Sequence, residues 1–272
     1  MELNAFFWGT SSSEQIQFLF LHGMGGTGAL WRPFAARLED RYPVWAFDQR
    51  GHGGSQDPYL KDFSPQAFGE DVVETLKKHK IQKTLIVAHS MGVRTAVATA
   101  IQCPQRVKGL VLIDLGFYGA AGGGLGETLA GCLRGLPSEF EDRTTAKEWL
   151  ASNSPDPSIS QYLMAVSYVD TDKKVRFPFD IEALLRSIEA VKDFSLREWL
   201  KKITDEYHIP VLALRGETSP VWTREDYEKE KENFKNSPLL TFEEVQGTGH
   251  GLPFEKRQWL IERLEAFMET LN

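Results

Sequence analysis

The chain of 272 residues is 42% apolar and 25% charged, which excludes a disordered chain, a collagen-like chain and a coiled-coil rod. Its length suits one large domain or one domain with an insertion, with a core that needs no disulfide or metal staple. A net charge of −7 argues against a cationic nucleic-acid footprint, and no Lys/Arg block offers itself to an anionic membrane.

The two cysteines, Cys103 and Cys132, form no C-x-x-C pair, so they read as buried or half-buried thiols of a reducing compartment. The opening residues MELNAFFWGTSSSEQ lack the basic-then-apolar pattern of a signal peptide. No apolar run approaches the ~18 residues that a membrane span needs. The expectation is a soluble cytoplasmic protein that engages neither nucleic acid nor membrane.

Short apolar runs alternate with longer periodic segments. Ile16 to Leu21 (IQFLFL), Val44 to Phe47 (VWAF), Thr84 to Ala88 (TLIVA) and Gly109 to Ile113 (GLVLI) read as strands. Val211 to Leu214 (VLAL) and Leu240 to Val245 (LTFEEV) follow later. Nearly continuous apolar runs are buried on both faces, as in a parallel sheet. Between them, Ser64-Pro65 marks a helix start, and Phe68, Val72 and Leu76 recur at helical spacing. Met91 to Gln102 reads as a helix that stops before Pro104, and Leu260, Leu264 and Phe267 place another at the end of the chain. Strands alternating with helices predict an α/β fold with right-handed crossovers.

One region breaks the alternation. Residues 117–190 show no convincing strand. They open on the glycine-rich stretch Gly119 to Gly126, read as a hinge. Thr145-x-x-Glu148 and Ser158-x-x-Gln161 have the form of capping boxes. Ile159, Tyr162, Leu163 and Val166 share one helical face; Ile181, Leu184, Leu185, Ile188 and Val191 share another. A helical insertion of this size is too long for a connector and reads as a lid. The division expected is a core of 1–116 and 191–272 with a helical cap of 117–190.

The chemistry concentrates at Ala88-His89-Ser90-Met91-Gly92. This segment follows a predicted strand and opens a predicted helix, the context of a nucleophile elbow. Ala88 stands where the motif usually has glycine, and still meets the demand for a small residue. His22-Gly23-Met24-Gly25-Gly26 ends an earlier strand. A loop there supplies one backbone N–H to an oxyanion hole and the residue after the serine supplies the other, here Met24 and Met91. Neither a G-x-x-x-x-G-K-[ST] nor a G-x-G-x-x-G motif occurs, so a phosphate-binding reading is poor. Of six histidines, His250, in Gly247-Thr248-Gly249-His250-Gly251 after the last predicted strand, is best placed to take the serine proton. His52 reads as part of a structural turn.

On these residues the chain resembles the α/β-hydrolase superfamily. The matching segments are HGMGG at 22–26, DQRGHGGS at 48–55, AHSMG at 88–92 and GTGHGLPFE at 247–255. The resemblance implies a mostly parallel eight-stranded sheet with helices on both faces and a helical cap after the sixth strand. The pattern within 117–190 is similar to a small serine carboxylesterase branch.

In one place the chain departs from that family. The usual acid after the seventh strand is replaced, because Arg215-Gly216-Glu217-Thr218-Ser219 puts Ser219 where an aspartate is expected. Asp114, at the end of the sixth strand, or Glu217 could orient His250. Asp114 is favoured, since related esterases and dehalogenases carry their acid there, with Ser219 as a second partner. The resemblance implies an esterase acting on short to medium acyl esters or thioesters, with Phe117, Tyr118 and Trp222 lining its pocket. It calls for no cofactor and no metal ion. Carbon–carbon bond hydrolases, lactonases, perhydrolases and slow-turnover receptors share these motifs and stay open at this point.

Overall fold

The structure, a computed structural model, describes residues 1–10, 14–118, 125–154 and 157–271. Most of the glycine-rich stretch read as a hinge, residues 119–124, lies outside them.

In chain order the elements begin with β1 (Ala5–Trp8), β2 (Gln17–Leu21), α1 (Arg32–Leu38) and β3 (Val44–Phe47). They continue with α2 (Pro65–Lys78), β4 (Thr84–His89), α3 (Met91–Gln102) and β5 (Val107–Ile113). Next come α4 (Leu125–Gly135), α5 (Arg143–Asn153), α6 (Pro157–Val166), β6 (Tyr168–Val169), β7 (Val175–Arg176) and α7 (Ile181–Glu189). The chain closes with α8 (Arg197–Lys201), β8 (Val211–Gly216), α9 (Arg224–Asn233), β9 (Leu240–Val245), α10 (Leu252–Glu255) and α11 (Arg257–Glu269).

The main sheet has the order β1-β3-β2-β4-β5-β8-β9. Only β1 runs antiparallel. The strand period of two divides each apolar run between two cores. Leu19, Leu21, Leu110 and Leu112 face one side with Val72, Leu76, Val97 and Leu200 of α2, α3 and α8. Phe18, Phe20, Val111 and Ile113 face the other with Phe34, Leu38, Leu260 and Leu264 of α1 and α11. Each face is therefore covered by helices, which is why the central strands read as unbroken apolar runs.

Several expectations need correction. The sheet holds seven strands among the described residues rather than eight. The antiparallel edge strand β1 was not foreseen: its residues are all apolar, yet three are only half-buried and Phe7 is exposed, so the run shows neither full burial nor the alternation of a one-sided strand. The region 117–190 does contain strands, the two-residue pair β6 and β7, too short to show a period. The box at Thr145 is not the cap of α5: Asp142 accepts the Thr145 N–H at 2.8 Å. Ser158 is likewise inside α6, which starts at Pro157. The start signal at Ser64-Pro65 does cap α2, with the Ser64 hydroxyl accepting the Ala67 N–H.

The elements between β5 and α8 build a separate apolar cluster from Leu133, Phe140, Leu150, Leu163, Leu184 and Ile188, with Met24 and Leu30 of the sheet side packed against it. Two main-chain bonds fasten this segment to the loop after β3: Gly53 N–H to Pro178 O at 2.6 Å and Asp180 N–H to Gly51 O at 2.9 Å. Among the described residues no helix is long and apolar enough to cross a membrane.

Candidate active site

The site lies at the carboxyl ends of β2, β4, β5, β8 and β9. Strand β4 passes directly into α3, and the sharp turn between them puts Ser90 at φ 53°, a region that non-glycine residues enter at a cost. The turn closes only because its neighbour is small. A Cβ on Gly92 would stand 2.8 Å from the carbonyl oxygens of Leu21 and His22. The Ser90 N–H is anchored on Ile113 O at 2.9 Å, so the serine is referenced to the adjacent strand.

Asp114 ends β5 in the same unusual backbone region, at φ 55°, with its N–H on Leu214 O at 2.8 Å. Its carboxylate is completely buried and fully bonded. Oδ1 accepts the Gly216 N–H at 2.8 Å. Oδ2 accepts the Ser219 hydroxyl at 2.5 Å and bonds His250 Nδ1 at 2.8 Å. Ser219 Oγ in turn accepts the N–H groups of Val221 and Trp222. A charge without solvent is tolerable only with such saturation. The other carboxylate considered, Glu217, binds the Gly247 N–H at 2.8 Å and so braces the loop that carries His250.

With Nδ1 held by Asp114, the proton-accepting nitrogen of His250 is Nε2. Its backbone carbonyl accepts from His89 Nε2 at 2.8 Å, and the two imidazoles lie 4.8 Å apart. Burial drives the His89 pKa down to about 3, so His89 is a neutral prop beside His250 rather than a second charge. The hydrogen bonds of the described residues include none between Ser90 Oγ and His250. Both side chains line one cavity, where such contacts commonly tighten only with substrate bound.

The glycine loop after β2 is fixed from beneath. His52 Nε2 accepts the Gly25 N–H at 2.9 Å, while His52 Nδ1 donates to Arg50 O. His22 Nδ1 donates to Gly23 O at 2.7 Å and His22 Nε2 accepts from Gln49 N–H. Burial lowers their pKa values to about 4 for His22 and about 3 for His52, which keeps both neutral and both tautomers defined. His52 is thus the support of a turn. Tyr162 of α6 reaches this loop from above, its hydroxyl 3.5 Å from Gly23 O, and burial pushes its pKa up.

Met24 and Met91 both line the cavity of about 130 Å³ beside Ser90. Its remaining walls are mostly apolar: Phe63 and Phe68 from around α2, Leu129 and Leu133 of α4, Ile159 and Leu163 of α6, and Leu184 and Ile188 of α7. The three aromatic residues expected there do not line it. Phe117 and Trp222 are buried in the core, with rings 5.3 Å apart. Tyr118 is 60% exposed under the Arg197 guanidinium. An aromatic next to a strand end is as free to turn away from the cavity as toward it: Phe117 and Trp222 turn into the core and Tyr118 turns to solvent. Arg94, Thr95, Tyr162 and Ser187 are the cavity residues outside the motifs that carry polar side chains. For Arg94 the available signal was its spacing, four residues after Ser90 on one helix face.

Residues 18–263 match the model of the alpha/beta hydrolase family, and the chain belongs to that family. Among curated relatives, the sn-1-specific diacylglycerol lipase ABHD11 of Xenopus laevis is 26% identical over 93% of this chain and 79% of its own. Among solved structures, a marine microorganism esterase superposes with a TM-score of 0.77 at 24% identity, covering 98% of this chain and 99% of its own. The E-2-(acetamidomethylene)succinate hydrolase gives 0.80 at 22% identity, covering 98% and 95%. At these identities the structural likeness speaks for the fold.

Proposed function

We propose that this protein is a serine hydrolase of short-chain carboxylic esters, with Ser90 as nucleophile and His250 as general base. The observation that carries this reading is the buried Asp114 carboxylate on His250 Nδ1. It selects the tautomer in which Nε2 accepts a proton, and it stabilises the imidazolium that follows. Ser219 completes the set by donating to the same carboxylate oxygen.

In the reaction, Ser90 Oγ adds to the ester carbonyl as His250 Nε2 takes its proton. The oxyanion rests on the N–H groups of Met24 and Met91, each worth on the order of 3 kcal/mol in the transition state. The C–O bond to the alcohol breaks as His250 returns the proton to the leaving oxygen. Water then repeats the sequence on the acyl-enzyme, releasing the acid and restoring Ser90. A curated relative named as a diacylglycerol lipase supports ester hydrolysis.

The segment 117–190 serves as the cap that shapes the acyl site, since α4, α6 and α7 each contribute walls. A cavity of about 130 Å³ compares with the ~150 Å³ that accommodates benzene in an engineered protein core. An acyl chain of a few carbons is the size that fits. A panel of p-nitrophenyl esters and acyl-CoA thioesters tests the reading. Rapid hydrolysis of short oxygen esters is expected, falling about 10⁴-fold or more in Ser90→Ala. No turnover by the wild type, or equal turnover by the variant, overturns it.

A further inference from the structure

Among the residues that line the cavity beside Ser90 is an arginine. Arg94 lies on α3 one turn beyond Ser90, and its side chain is 8% exposed. Side chains on a helix lean toward the N-terminus, which for Arg94 is the direction of Ser90. It lines the cavity together with the hydroxyl residues Thr95 and Ser187, and no Asp or Glu is among the residues that line it. Burial lowers its pKa only to about 10, so the guanidinium is charged at neutral pH. A cation among apolar walls is costly, and active sites are where such costs are retained for binding. A guanidinium has five N–H donors in a planar fork that matches a carboxylate. It can serve a contact within the protein and a ligand at once.

Building on the serine-hydrolase reading above, we infer that the preferred substrates are half-esters of short dicarboxylic acids, with Arg94 binding the distal carboxylate. Arg94 is three residues into α3, about 4.5 Å along the axis from its first residue Met91, and its side chain leans back toward Ser90, so a chain of a few methylene groups can join an ester carbonyl at one to a carboxylate at the other. Arg94 is on this account a specificity-determining residue; it takes no part in bond making or breaking.

The test compares monoethyl adipate with ethyl hexanoate, which has the same acyl carbon count and no charge, by following ethanol release. Wild type is expected to favour the adipate half-ester in kcat/KM by about tenfold or more. In Arg94→Met the preference disappears, mainly through KM for monoethyl adipate, while ethyl hexanoate changes by less than about threefold. Arg94→Lys retains part of the preference, because charge survives without the fork. Free adipate should inhibit ethyl hexanoate hydrolysis by wild type more strongly than free hexanoate does, a measurement that needs no variant. A wild-type preference for ethyl hexanoate, or equal loss on both esters in Arg94→Met, overturns the role of Arg94 and leaves the hydrolase reading intact. Failure to hydrolyse either ester, together with an inactive p-nitrophenyl panel, overturns both.

Discussion

The strand ends of the sheet and the segment inserted between β5 and α8 meet around one cavity, yet they are built differently. At the strand ends the functional groups are held by backbone. Ser90 and Asp114 occupy costly φ values, and their amides are pinned to neighbouring strands. The insertion touches the core backbone through the two bonds to the loop after β3, and is otherwise held by side chains. It has its own apolar cluster and an exposed ion-pair group in which Arg176 meets Glu139, Asp170 and Asp172, an arrangement worth little per pair at a surface. Rigid backbone suits groups that must hold a reaction geometry. Packed side chains suit walls that decide which molecule fits. Alterations at the strand ends should therefore strike kcat, and alterations in the insertion should strike KM and substrate choice.

The sharpest way to break this comparison is at Asp114. Asp114→Asn is expected to lower kcat by about 10⁴-fold, because the amide favours the wrong His250 tautomer and cannot balance an imidazolium. Glu217→Gln, at a carboxylate that accepts the Gly247 N–H, should change kcat by less than about threefold. Steady-state kinetics on one short ester distinguish them, and the reverse pattern would transfer the acid's role to Glu217.

Acid should also discriminate between the regions. All six histidines lie outside residues 117–190, and burial depresses the pKa of His22, His52 and His89 to about 4, 3 and 3. Their folded values are below those of the unfolded chain. As pH falls beneath ~6.5 the unfolded state takes up protons first, and stability drops until the folded values are reached. Between pH 7 and pH 5 each such histidine should remove about 1–2 kcal/mol. Urea unfolding followed at both pH values measures the loss. A midpoint that does not move would show that these rings are not held neutral.

The smallest expected effect is in the insertion. Leu163→Ala enlarges the cavity from α6 and should shift acyl preference by one or two carbons. The KM for the longer ester should fall by about tenfold at most, with kcat for the shortest ester nearly unchanged. A collapse of kcat on every ester would show that this wall also holds the reacting groups in place.

Much of the strand-end arrangement was legible in the chain because turn chemistry is local. The need for a small residue at Gly92 and the strand-to-helix position of Ser90 can both be read within a few residues. Asp114 was reachable by noticing that Ser219 replaces an expected acid. The walls were not legible in the same way. Phe117 and Trp222 stand beside the site in sequence but turn into the core, and nothing local separates an inward from an outward aromatic. The leucines of α4, α6 and α7 converge on Ser90 only through the packing of distant helices. Edge strand β1 escaped for a related reason, since four consecutive apolar residues show no alternation and find their partner only in β3, far along the chain.

The placement of the proposed acid, Asp114, after β5 has a consequence for how accurately the site is assembled. His89 and Ile113 are register partners in adjacent strands, so Ser90 and Asp114 project from a pair whose lateral spacing is set by the hydrogen-bond ladder at ~4.8 Å. The distance between them is calibrated by the peptide lattice and not by any surface loop. The turn that follows β8 need only offer a hydroxyl at position 219, which leaves it tolerant of lengthening or remodelling where an enzyme with its acid there would be constrained.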